Sequence, residues 1–267
     1  MTTLQAQRYF ARDIARDFES ERLLNIQAAL DPLTKRRLDF VGIGPGWRCL
    51  EVGAGRGSIA RWLGQTVAPR GRVVATDIDL RLLDHVEGPY VELREHDITV
   101  DELEPESYNL VHCRLVLMHL ADPELALERM VSALCPGGWL VVEEAMFTEP
   151  IFVTREHLAA GAVERVYAAV KEFLSQFMDL GFGQKVVHMV AELGLEEFSA
   201  EQTRFYAPGG HPAPIANMMT WEMFREPLLA SGAVAPDDLD VASAAMQDPS
   251  FIGSGASLFG AFGRKPF

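Results

Sequence analysis

Cysteine is scarce in this chain. The three present, Cys49, Cys113 and Cys135, lie far apart. Their spacing offers no disulfide framework and no metal-ligand cluster. No C-x-x-x-C-x-x-C run exists, which argues against an iron–sulfur radical enzyme, and no His/Asp/Glu group has metal spacing, so no metal is expected. Long apolar runs are missing as well; none reaches the roughly 18 residues of a membrane span. Basic runs are equally rare. The short Lys35–Arg37 segment fits the solvated face of a helix, and the formal net charge is −14. A phosphate backbone needs a basic footprint, so a nucleic-acid substrate is not expected. No Asn/Asp-Pro-Pro-Tyr/Phe run appears. Charges at Arg8, Arg12, Asp13, Arg16 and Asp17 argue against a secretory leader. The expected location is the reducing cytoplasm.

What is present suits one sizeable α/β domain. The chain has 267 residues, 48% hydrophobic and 23% charged, within the usual range for a globular protein. The stretch Cys49–Ala60, CLEVGAGRGSIA, organises it. Cys49, Leu50 and Val52 form a buried strand, Glu51 sits near its end, and Gly53, Gly55 and Gly57 follow before a helix opens. Glycine permits positive φ and close approach to the backbone. The opening helix offers unpaired N–H groups and a positive dipole end. Such a turn holds a ligand against main chain. A dinucleotide fingerprint requires G-x-G-x-x-G/A, and Ser58 breaks that pattern. An acid at Glu51 suits a cationic ligand and repels a pyrophosphate.

Periodicity along the chain predicts helix over residues 4–30 and a second helix from the Asp31-Pro32 cap to about Val41. Strands follow at Arg72–Thr76, Tyr90–Glu95, Tyr108–Cys113 and Trp139–Val142. Asp77 ends the second of the five, where an acid accepts hydrogen bonds from a ribose diol; Asp79 is the rival, or caps a helix over Leu80–Val86. Helices are expected over 155–178, Lys185–Leu193 and, with interruptions, Ile215–Gln247. Further strands are expected at 197–207 and Ser257–Gly263.

The E-x-G-x-G-x-G turn, the acid after the second strand, Asp97 after the third and the Pro136-Gly137-Gly138 turn before the fifth agree in order over residues 49–147. Together they resemble the class I S-adenosylmethionine-dependent methyltransferases, with the closest look to the ubiquinone-biosynthesis-like and secondary-metabolite types. The resemblance implies an α/β, Rossmann-like, seven-stranded, mostly parallel sheet with helices on both faces and a helical lid. Residues 1–45 would be an N-terminal cover. Residues 46–267 would be the core, with lid insertions around 150–180 and 209–250. The implied cofactor is S-adenosylmethionine, leaving S-adenosylhomocysteine, without a metal. Its implied binding residues are Glu51, Gly53, Ala54, Gly55, Gly57, Asp77, Ile78, Asp97, Ile98, Cys113 and Arg114.

The implied reaction is methyl transfer to carbon, nitrogen or oxygen of a small hydrophobic or aromatic molecule, in a biosynthetic setting, by a monomer or homodimer without nucleic-acid or membrane partners. His119 is the candidate base, since its ordinary pKa is about 6.5; it equally suits a structural role holding a loop carbonyl. Glu143 and Glu144 are rival bases. His112 is expected to point away from the site if Cys113 points towards it. Tyr9, Met118 and Met146 are candidate substrate or lid residues. Phe147, Phe173, Phe177, Met218, Met219, Trp221 and Met223 would line an aromatic-friendly pocket or simply fill the core. A nicotinamide-dependent oxidoreductase and a non-catalytic nucleoside-binding module on the same fold are the alternatives.

Overall fold

Strand β1 (Arg48–Val52) is buried on both faces, and this places it at the centre of a sheet. The computed structural model describes residues 15–83, 85, 86, 88–154 and 156–267. Helix α1 (Arg16–Phe40) precedes β1, and α2 (Ser58–Val67), β2 (Arg72–Asp77), β3 (Val91–Glu95) and β4 (Tyr108–Arg114) follow. Next come α3 (Pro123–Ala133), β5 (Leu134–Met146), β6 (Phe152–Val153), α4 (Ala160–Leu174), α5 (Phe182–Ala191) and β7 (Glu196–Arg204). The chain ends with β8 (Ala207–Pro208), α6 (Pro212–Met223), α7 (Arg225–Ala230), α8 (Pro236–Ala245), β9 (Ile252–Ser254) and β10 (Ser257–Arg264).

The main sheet has seven strands in the order β3-β2-β1-β4-β5-β10-β7. The first five pair in parallel, and β10 runs antiparallel between β5 and β7. Strand order reverses between β1 and β4, which opens a crevice at the carboxyl ends of the strands. Register places Glu51 between Ala75 and His112. Alternate residues serve opposite faces. Leu50, Val52, Val111, Cys113, Leu140 and Val142 pack into one buried cluster with α3, α4 and α5. Cys49, Val73, Ala75, Leu110 and Val141 pack into the other with α2. The expected fold is therefore the observed one.

Several local expectations give way to tertiary contacts. The break at Asp31-Pro32 is absent; α1 runs through Pro32 as one helix. Proline inside a helix costs about 3 kcal/mol. Here Asp31 and Thr34 on either side of it are tied to Arg114 of β4, at 3.0 and 2.7 Å, so the helix is held against the sheet. The Leu80–Val86 helix shrinks to one 3-10 turn over Leu80–Leu82, capped by the Asp79 carboxylate accepting from the Arg81 N–H. A small sheet, ordered β6-β9-β8, was not anticipated. Its strands have two or three residues, too short for a periodic pattern. Residues of its β8 and β9, with others of α1, α4 and α6, line the crevice. Tyr9 lies outside the described residues.

Candidate active site

The glycine turn is shaped by what surrounds it. Gly53, Gly55 and Gly57 all have positive φ, at 69°, 58° and 70°. A Cβ at Gly53 would meet Val116 Cγ2 at 2.3 Å, and one at Gly57 would meet Leu83 and Val86 at 2.7–2.8 Å. At Gly55 the nearest atom is Leu23 Cδ1 at 4.0 Å, so this glycine faces open space. Its N–H donates to Asp77 Oδ2 at 2.8 Å. Asp77 Oδ1 accepts from the Asp79 N–H at 3.1 Å. Burial pushes the Asp77 carboxyl up to about 6 despite these bonds. Asp79 is committed elsewhere, to the Arg81 side chain at 2.7 Å and the Arg81 N–H at 3.0 Å. At the end of β3, Asp97 Oδ1 accepts from both the N–H and the hydroxyl of Thr99.

A cavity of about 590 Å³ occupies the crevice. Glu51, Gly53, Ala54, Gly55, Asp77, Ile78, Asp97, Ile98 and Arg114 all line it, as do Met118 and His119. Gly57 does not; it is the N-cap of α2 and its space is filled by Leu83 and Val86. Cys113 does not either, because its side chain faces the buried cluster on the other side of β4. Met146 is likewise turned away, whereas its neighbours Ala145 and Phe147 line the wall. Phe147 and Trp221 of the expected apolar set reach the cavity; Phe173, Phe177, Met218, Met219 and Met223 do not.

The two glutamates of β5 sit behind the wall, not in it. Glu144 Oε1 accepts from the N–H groups of Val116 and Leu117 at 3.0 and 2.7 Å, and so shapes the 3-10 turn that carries Met118 and His119. Burial pushes its carboxyl up to about 8. Glu143 accepts from Thr34 and Arg37 of α1 and lies 3.4 Å from His112 Nε2. Desolvation opposes its charge, yet the His112 hydrogen bond and the Arg114 and Arg37 cations hold it down at about 2. His112 does not simply point away. Its Nδ1 lies 2.7 Å from Glu51 Oε2, on the face opposite Cys113. Burial would lower its pKa, but the two carboxylates hold it up at about 9. His119 is the reverse case: burial and the nearby Arg22 charge push it down to about 4, so it is neutral at pH 7.

A family model described as "Methyltransferase domain" matches residues 7–179. The chain belongs to the class I methyltransferase family. Among curated relatives, methyltransferase str2 of Strobilurus tenacellus is 30% identical over 143 residues, covering 51% of this chain and 49% of its own. The ubiquinone/menaquinone biosynthesis C-methyltransferase UbiE of Hahella chejuensis is 29% identical, covering 42% of this chain and 48% of its own. The chain thus spans about half the length of these two relatives. Among solved structures, a methyltransferase from Bacillus halodurans superposes with TM-score 0.54 at 19% identity, over 87% of this chain and 98% of its own. Phosphoethanolamine N-methyltransferase 2 of Haemonchus contortus gives 0.56 at 18%, over 86% and 51%. At these identities the structural likeness shows the fold alone.

This methyltransferase domain also has wall residues that sequence reasoning missed. Asn217 and Thr220 of α6 and Gly253–Leu258, from β9 into β10, line the cavity. Tyr167 was visible only as part of the apolar face of α4. A long-range connection brings all of them to the crevice, and no local pattern encodes that. Among the described residues no helix is long and apolar enough to cross a membrane, and no group of three potential ligands could hold a metal ion.

Proposed function

We propose that this chain transfers a methyl group from S-adenosylmethionine to a small, predominantly apolar molecule. The observation that carries the reading is the division of one cavity into an acidic and an apolar part. Glu51, Asp77 and Asp97 gather at the carboxyl ends of three parallel strands beside the open space at Gly55. Phe147, Leu174, Trp221 and Phe251 line the other part. The cradle fits the cofactor: a side chain at Gly55 would enter the space that a ligand needs, and Gly53 brings the backbone under it. When bound, S-adenosylmethionine supplies an electrophilic methyl on a sulfonium.

The protein's own part is recognition and alignment. Asp77 would accept hydrogen bonds from ribose hydroxyls, and the Glu51 carboxylate would meet the ammonium. Ile78 and Ile98 would flank the adenine, and Asp97 would meet its amino group. Arg114, already bonded to Asp31 and Thr34, fixes the wall beside β4. Holding the acceptor in line is worth several kcal/mol of barrier. His119, neutral at pH 7 and on the cavity wall, is the group placed to take a proton if the acceptor must lose one. The described part of the expected N-terminal cover, residues 15–45, and the segments around 150–180 and 209–250 would close over the bound molecules.

Calorimetric titration with S-adenosylmethionine, S-adenosylhomocysteine and NADH tests the reading. Micromolar binding of the first two without NADH supports it. Binding of NADH alone overturns it in favour of an oxidoreductase.

A further inference from the structure

The apolar part of the cavity contains a polar spot that the methyl-transfer chemistry does not use. Most polar side chains in that wall are already engaged. The Thr220 hydroxyl donates to the Ala216 carbonyl at 2.9 Å, Ser254 accepts from Arg204 Nε at 2.8 Å, and the Ser257 hydroxyl donates to Glu149. Tyr167 and Asn217 differ. Tyr167 is 5% exposed, and its hydroxyl is buried without a hydrogen-bond partner among the described residues. Leaving such a group unpaired costs about 1–3 kcal/mol. The Asn217 amide forms no hydrogen bond among the described residues either. Both side chains border Gly255: a Cβ built there would lie 3.1 Å from Asn217 Nδ2 and 3.6 Å from the Tyr167 ring at Cε2. One turn along α4, Lys171 lines the same cavity with its Nζ 5.2 Å from the centre of the Tyr167 ring. It pairs with no carboxylate among the described residues, in a chain of net charge −14.

We propose that Tyr167 and Asn217, with Lys171 beside them, bind an acidic oxygen, phenolic or carboxylic, on an otherwise apolar ligand. The hydroxyl, the amide N–H₂ and the ammonium are all donors; of the charges that act on Tyr167, Arg204 favours a negative oxygen and Glu149 opposes it. Burial keeps the Tyr167 phenol up at about 12, so it donates at neutral pH. The surrounding wall of Val170, Leu174, Trp221 and Phe251 accepts a ring or hydrocarbon body. A site built to hydrogen-bond an oxygen discriminates strongly against the analogue that lacks it, because its own polar groups are then left unpaired. Naming this ligand as the methyl acceptor rests on the proposed function; the binding site itself does not.

The test is ligand-observed NMR titration of the whole chain with beta-naphthoate, beta-naphthol and naphthalene, with and without S-adenosylhomocysteine. At least one oxygenated probe should bind about tenfold or more tighter than naphthalene, the effect of one charge-assisted hydrogen bond. Tyr167→Phe should abolish the preference and Asn217→Ala should reduce it, with S-adenosylhomocysteine affinity unchanged in both. Lys171→Met separates the two oxygen types. It should remove a preference for the carboxylate and leave one for the phenol. No preference, no binding of any of the three probes, or a preference that survives both substitutions overturns the proposal. If Tyr167→Phe does not fold, Asn217→Ala and Gly255→Ala, which presses on the Asn217 amide, carry the same comparison. Failure of the methyl-donor reading registers separately, as a wild-type protein that does not bind S-adenosylhomocysteine.

Discussion

His112 Nδ1 lies 2.7 Å from Glu51 Oε2, with both side chains buried beneath the glycine turn. On its other side the imidazole faces Glu143, which in turn holds Thr34 and Arg37 of α1. Arg37 also pairs with Glu201 of β7 at 2.6 Å. One chain of charges therefore runs from the cavity floor at Glu51, across one face of the sheet, to the helix that covers that face. The position of Glu51 depends on this chain.

His112→Ala would leave Glu51 without its imidazole partner and Glu143 with only Arg37 and Arg114. Breaking a buried pair in this way costs about 3–5 kcal/mol. The pH dependence identifies the cause. The folded-state pKa of about 9 is above the ordinary 6.5. The stabilisation is thus fully present below pH 6.5 and is lost as pH rises through about 9. Denaturant unfolding of wild type and His112→Ala should show a stability gap that narrows between pH 7 and 9.5. A gap constant over that range means the imidazole is neutral in the fold.

Gly55 and Gly57 should separate cofactor binding from packing. Gly57→Ala puts a methyl within 2.8 Å of Leu83 and Val86 at a left-handed φ. Strain and overpacking together should cost about 2–4 kcal/mol, seen as a lower melting temperature. Gly55→Ala meets open space and carries only the left-handed penalty of about 1–2 kcal/mol. Its methyl enters the cavity, so S-adenosylhomocysteine affinity should fall while most of the stability remains. Equal melting temperatures for the two variants would contradict this division.

The parts of the site that lie on one local stretch were legible in the sequence. Gly53, Gly55 and Asp77 follow strands whose burial shows as apolar runs, Asp97 follows one that shows as alternation, and all four line the cavity. What was not legible depends on partners distant in the chain. Pro32 reads as a helix start because nothing local reveals that Asp31 and Thr34 bind Arg114 of β4. Glu143 and Glu144 read as free acids at a strand end, and only the fold shows Thr34, Arg37 and the Val116 and Leu117 amides using them. Gly260 reads as an ordinary strand glycine, yet a Cβ there would lie 2.6 Å from Arg37 Nε. Cys113 and His112 were assigned to faces by alternation alone, which fixes their opposition but not which of them is on the face shared with Glu51.

Gly260→Ala follows from that contact. The added methyl should push the Arg37 guanidinium off Glu143 and Glu201, and cost about 1–3 kcal/mol by overpacking. Because α1 forms one wall of the cavity, S-adenosylhomocysteine binding should weaken along with the melting temperature. A destabilised variant with wild-type affinity would show that α1 keeps its place without Arg37.

Asp77→Asn should weaken binding without costing stability. Burial raises the folded-state pKa of Asp77 to about 6 from 3.8. Its contribution is therefore fully present below pH 3.8 and lost as pH rises through about 6, so the ionised group opposes folding at pH 7. Asparagine removes that charge and keeps an oxygen for the Gly55 N–H, at the loss of the acceptor for the Asp79 N–H, which offsets part of the gain. The melting temperature at pH 7.5 should stay level or rise. Affinity for S-adenosylhomocysteine should fall about tenfold or more, the effect of losing a charged acceptor to a ribose hydroxyl. Unchanged affinity would move the ribose role to Asp79.

His119 is pushed down to about 4 by burial and by Arg22, and this sets what it can do. A base with that pKa is unprotonated throughout the neutral range. Turnover of an accepted substrate should therefore show no inflection near pH 6.5 from this residue. NMR titration, assigned by the loss of one imidazole signal in His119→Ala, should place its midpoint near 4. Arg22→Met removes the nearby cation and should raise that midpoint. If His119→Ala binds S-adenosylhomocysteine normally and turns over at the wild-type rate, His119 takes no proton. The acceptor is then nucleophilic as bound, which favours an electron-rich carbon or an already ionised oxygen over a neutral hydroxyl.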